Sequence, residues 1–262
     1  MHFLDHLEAL RWHLVRSAAA VVILAVLAFL NPAILFDQII LGPKNPDFPT
    51  YRALCWLAEK SGVDFCIREI PFNLINIDIS GQFTTHLYIS FMAGFTMAFP
   101  YFIWEIWCFV KPALTSNEIS NSRGVVAATS ILFLSGVLFG YFVVAPLSVN
   151  FLGSYQISEQ VSNQIGLGSF ISTVTMLSFS SGIVFELPVA IYFLSKLGMV
   201  TPPFLRKYRR HAMVVILILA AVITPSPDIT SQILVAIPLF LLYEISIGVS
   251  AAVERRRNKE QA

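Results

Sequence analysis

Charge is scarce in this chain. Only 13% of its 262 residues are Asp, Glu, Lys or Arg, against 56% hydrophobic, and mean hydropathy is +0.72. So little polar surface cannot enclose a water-soluble core of ordinary composition, which excludes a soluble domain and points to a membrane protein. Cysteine is also scarce, at three residues. Catalytic signatures are missing: the chain has no H-E-x-x-H, no G-x-S-x-G elbow and no P-loop. Its five histidines mostly flank apolar runs, and the i, i+4 spacing of a helical metal site occurs just at His2 and His6. No enzyme, metal, cofactor or nucleic-acid partner is expected.

What the chain has is six apolar segments: Leu14–Leu35, His86–Val110, Val125–Leu147, Ser169–Leu194, His211–Thr224 and Ile229–Val249. A span needs about 20 residues to cross a ~30 Å hydrocarbon core. The fifth would reach just ~21 Å at 1.5 Å per residue, so a short span that thins the bilayer around it is expected. The sixth is left open to being short as well. The first run lacks a small-x-small cleavage site and is expected to stay as a span. Thirteen of the 17 basic residues fall in the N-terminal segment, the loops after the second and fourth segments, and the tail. Lys44, Arg52, Lys60 and Arg68 lie in the long first loop, where acids balance them. By the positive-inside rule both termini are cytoplasmic. The expected fold is an all-α polytopic membrane protein with six transmembrane helices. Residues 1–253 form one domain, which includes an outer loop over 36–85, and 254–262 form a charged cytoplasmic tail.

The acids then become informative. Glu186 sits inside the apolar stretch SFSSGIVFELPVAIYFL with no basic residue near it in sequence. An ionisable side chain in a span costs roughly 2.5–3.5 kcal/mol, so it should meet a partner, a cavity or water; the bland alternative is a neighbouring helix of its own chain. Glu8, Glu105 and Glu118 lie toward the expected cytoplasmic face, where carboxylates suit a cationic ligand. Two of them could grip Arg guanidinium groups with bidentate hydrogen bonds that Lys cannot reproduce. The rival reading pairs Glu8 with Arg11 and Glu118 with Arg123. Trp104, Trp107 and Phe109 read as an interfacial belt. Asp228, before the sixth segment, suits that helix's N-terminus equally as a cap or a functional acid. Cys55 and Cys66 share the outer loop and are candidates for a disulfide, with two separate thiols as the alternative. Cys108 has no partner and reads as packing.

These residues carry a resemblance. HLEALRWHL, at residues 6–14, resembles the H-L-x-E-L-R motif of the TatC family, the receptor subunit of the twin-arginine protein translocase. FPYFIWEIWCFVKPALTSNE is similar to that family's F-x-x-P-A-L-x-x-x-E segment. FGYFVVAP, VFELPVAIYFLSKLGMVTP and ITPSPDITSQILVAIPLFLLYEI resemble its third, fourth and last regions. The resemblance runs in order over nearly the whole chain. It implies a multi-pass protein of the bacterial cytoplasmic (inner) membrane, with the outer loop in the periplasm, that recognises twin-arginine signal peptides of folded cargo. It also implies an oligomeric assembly with single-span TatA/TatB-type subunits, driven by the proton-motive force. Of the family's two signal-binding carboxylates one falls on Glu118. The other falls on Ala9, with Glu8 beside it as a substitute turned ~100° around the helix. Arg11 and Phe109 belong to the same signal-binding region, and Glu186 to the contact with partner helices. The alternative is a proton-coupled small-molecule transporter using Glu186 and Glu105. Such transporters usually carry internal repeats, and the first and last three segments show none.

Overall fold

The computed structural model describes residues 3–61, 66, 72–111, 122–156, 158, 163–224 and 229–261. Helix α1 spans Phe3–Phe29 and stops where Asn31 and Pro32 interrupt the apolar run. The chain then turns through a π-helical segment, Ala33–Ile40, and a single 3₁₀ turn, Gly42–Lys44. The first apolar segment therefore holds one span and the start of the outer loop. Proline explains the break, because its ring removes an amide donor and crowds the preceding turn.

The outer loop is structured. Helix α2, Pro49–Ser61, carries Cys55, which is bonded to Cys66. Strand β1, Asn73–Ile75, pairs in parallel with β2, Gln164–Gly166, so the expectation of a purely helical chain needs this one correction. A three-residue strand is too short to leave a period-2 signature, so periodicity could not reveal it.

Helix α3, Gly81–Val110, returns antiparallel to α1. Gly94 makes the approach close: a Cβ there would lie 2.5 Å from the Ala25 backbone nitrogen. Phe29 stacks on His86 at 4.2 Å toward the loop end of the pair. Helix α4, Ser122–Phe139, continues through a π segment, Gly140–Val144, into α5, Ala145–Ser154. Helix α6, Leu167–Phe185, packs on α4 with Gly140 and Gly182 at the crossing, where added methyls would meet Leu177 and Phe133. Phe99 of α3 stacks on Phe133 of α4 at 3.6 Å, which joins the α1–α3 pair to the rest.

Helix α7, Leu187–Lys196, ends in a Schellman motif. Gly198 takes a φ of 75°, its amide reaches Ser195 O, and the Met199 amide reaches Leu194 O. After a short α8, Pro202–Lys207, comes α9, Arg209–Ile223. Its 15 residues make a rod of ~22 Å, below what a full span needs. Five other helical stretches are long and apolar enough to cross a membrane: Glu8–Phe29, Gly81–Val110, Gly124–Ser154, Leu167–Lys196 and Gln232–Arg255. The last lies in α10, Ile229–Gln261, so the sixth segment is not short. Glu, Arg and Lys are good helix formers, and the charged tail prolongs the helix instead of ending it.

Candidate functional site

Polar chemistry concentrates where α1 begins and α3 ends. Glu105 lies 1.5 turns before the end of α3, is 6% exposed, and is fully engaged. Its Oε2 lies 2.5 Å from His13 Nδ1 on α1, and its Oε1 accepts from the Tyr101 hydroxyl at 2.6 Å. Tyr101 can reach because residues four apart share a helix face. His13 is further set by Phe109, whose ring meets the imidazole edge-on at 6.2 Å, and its carbonyl accepts from Ser17 Oγ. Glu105 is thus not a carboxylate presented at the surface, as the sequence suggested. His13 could not be foreseen as its partner, since 92 residues separate them. Tyr101 was the findable one, by its i, i+4 spacing.

Glu8 and Arg11 are both exposed on α1, and no ion pair joins them among the described residues. With His13 turned to α3, Arg11 lies ~200° and Glu8 ~140° around the axis, on the far side. Ala9, about 40° from His13, is half-buried on the near side. Trp104 is exposed, as a belt residue should be, but Trp107 is buried and packs near Phe193. Glu118 and Asp228 lie outside the described residues.

Glu186 falls at a break. It closes α6 and opens α7, with φ −74° and ψ −2°, and Pro188 supplies the interruption two residues later. Its carboxyl lies beside the Phe133 backbone, yet neither oxygen has a hydrogen-bond partner among the described residues, and both are shielded from solvent. The bland reading, a contact with a neighbouring helix of the same chain, keeps the support of this approach to Phe133 of α4. A separate cavity of about 490 Å³ opens toward the loop end between α1, α3, α4 and α6. Ile89, Met97, Leu138, Tyr141, Thr175 and Phe179 help line it, and among the described residues no charged side chain does.

These features define a polytopic helical membrane protein with a polar network at one end of the bundle and an unsatisfied acid at a helix break within it. Residues 5–238 match the family described as Sec-independent protein translocase protein (TatC). The TatC of Blattabacterium sp. subsp. Periplaneta americana is 40% identical over 260 residues, covering 98% of this chain and 97% of the relative. That of Aquifex aeolicus is 31% identical over 262 residues, covering 100% and 99%. A crystal structure of the twin-arginine translocase receptor TatC in DDM superposes with a TM-score of 0.70 at 31% identity, covering 94% of this chain and 99% of that one. A second crystal structure of that receptor gives 0.66 at 30% identity, covering 95% and 99%. The chain belongs to the TatC family and is a component of the twin-arginine translocase.

Proposed function

We propose that this chain is the signal-peptide receptor of its translocase. It holds the Arg-Arg pair of a folded cargo's signal peptide at the cytoplasmic face, through Glu118 and Glu8 in a region that includes Arg11 and Phe109. It then engages single-span TatA/TatB-type subunits through Glu186 and passes the cargo across the bacterial inner membrane. Six spans, both termini cytoplasmic, the proton-motive force as the drive and the absence of a catalytic step belong to the same reading. Residues 1–253 act as one transmembrane domain and 254–262 as its cytoplasmic tail.

The observation that carries the reading is Glu8, an exposed acid without an ion-pair partner among the described residues, at the end of the bundle where basic residues gather. A carboxylate free of internal partners can take a guanidinium in two parallel hydrogen bonds. The receptor named in the crystal structures of its relatives supports the assignment. Glu186 supports the second half: an unsatisfied buried carboxyl costs roughly 2–7 kcal/mol until a partner supplies a hydrogen bond. Binding of a twin-arginine peptide to the purified chain tests the proposal against the same peptide carrying twin lysine. Markedly tighter binding of the arginine form is expected, and equal binding would refute the receptor role. A proton-coupled small-molecule transporter has less support, because the relatives are named as protein translocase components.

A further inference from the structure

We infer that Glu105 and His13 form a positioning pair for signal-peptide capture: their bond fixes the rotation of α1, and hence the direction in which Glu8 and Arg11 face. The inference rests on the receptor reading above. Its basis is the set of contacts that hold α1 against α3. Phe29 on His86 is an aromatic stack, and Gly94 against Ala25 is a backbone approach. Each limits the distance between the helices, and a smooth apolar contact does little to oppose rotation. His13 to Glu105 is a directional bond between a ring nitrogen and a buried carboxylate, 2.5 Å long.

That bond is held from both sides. Tyr101 donates to the other carboxylate oxygen, which leaves Glu105 little freedom to follow a moving partner. Phe109 abuts the imidazole, and Ser17 ties the His13 carbonyl to the next turn. His13 is two residues beyond Arg11 and five beyond Glu8, all within one uninterrupted helix. A rotation of α1 therefore carries both exposed side chains with it through the same angle. Among the described residues, Arg16 of α1 is the charge within electrostatic reach of Glu105 besides His13. Signal binding is set at one remove, since Glu105 is buried and the His13 nitrogen is committed to it.

The test uses the full-length chain in lipid nanodiscs with a fluorescent twin-arginine peptide. Glu105→Ala and His13→Ala should each weaken binding roughly tenfold, the equivalent of one charge-assisted hydrogen bond, and the double variant should be no worse than either. Glu105→Gln, whose carbonyl accepts from one partner while its amide N–H donates to the other, should stay within about threefold of the parent. Spin labels at positions 8 and 111 should report a changed distance in Glu105→Ala and the parental one in Glu105→Gln. Where Glu105→Ala fails to reach the membrane, His13→Phe carries the test, because it keeps a ring against Phe109 and removes both nitrogens. Parental affinity or an unchanged label distance in that variant or in Glu105→Ala would overturn the inference. If the parent itself does not prefer twin arginine over twin lysine, the receptor reading fails, and that result is separate from the behaviour of the pair.

Discussion

Tyr51, in the helix of the outer loop, donates its phenolic proton at 2.8 Å to the carbonyl of Pro146, 95 residues further along the chain. The same hydroxyl lies 2.9 Å from the Pro43 carbonyl, so one proton serves two acceptors. Pro43 lies in the 3₁₀ turn of the loop, and Pro146 at the start of α5 just after the π segment. The loop is thereby fastened to the third span by a polar contact at a buried position.

Tyr51→Phe removes the donor and the hydrogen bonds that both carbonyls accept from it. A loss of about 1–3 kcal/mol is expected, seen as a lower unfolding midpoint in detergent. Burial pushes the Tyr51 phenol up from its ordinary value. The stabilisation tied to that raised value is complete below about pH 10, the unfolded value, and declines as the pH rises beyond it. A midpoint that falls equally in parent and Tyr51→Phe above pH 10 would contradict this.

Glu118→Ala should weaken Arg-Arg peptide binding by about 2–5 kcal/mol if the contact is desolvated, and Glu8→Ala by less. Ala9→Glu should tighten it, since position 9 is half-buried on the α3 side of α1 whereas Glu8 points away. No gain from Ala9→Glu, alongside a loss in Glu8→Ala, would assign the role to Glu8. Site-specific photocrosslinking to a signal peptide reads all three.

Glu186→Ala should leave peptide binding intact while lowering transport and crosslinking to single-span subunits within the bilayer. Glu186→Gln should be milder, because an amide retains hydrogen-bonding capacity. Normal transport by Glu186→Ala would remove the acid from the partner site.

Gly94→Val should loosen α1 from α3, because even a methyl group would overlap the Ala25 backbone. Overpacking of this kind costs typically about 1–3 kcal/mol. Engineered cysteine pairs across the two helices should crosslink less efficiently in the variant. Unchanged crosslinking would mean that the helices separate elsewhere.

Protein purified without reductant should present one alkylatable thiol, at Cys108, since Cys55 and Cys66 are bonded. A ring of this size restrains the unfolded loop by up to ~3 kcal/mol in the chain-entropy model. Three reactive thiols after denaturation would refute it.

The apolar helices were legible because period and length are local properties of the sequence. The break at Glu186 was half legible: Pro188 and the acid flag it, but the burial of the carboxyl depends on how α4 packs. The His13–Glu105 bond was not legible at all, since two residues 92 apart meet through helix packing alone. The first span ends before Leu35, the end that hydropathy suggests, because Ala33–Ile40 is as apolar as the helix before it and just Asn31 and Pro32 mark the turn. Glu8 and Ala9 show the opposite case. Their azimuths follow from 100° per residue once a single contact, that of His13, fixes the origin.

The β1–β2 pairing sets a clock on biogenesis. Its second strand is synthesised about 90 residues after the first, which at 5–20 residues per second is roughly 5–20 s. Throughout that interval β1 has no partner, while Cys55 and Cys66 have both already been synthesised. The covalent link can therefore precede the sheet, and the outer loop reaches its final form after the third span, which β2 follows, has been made.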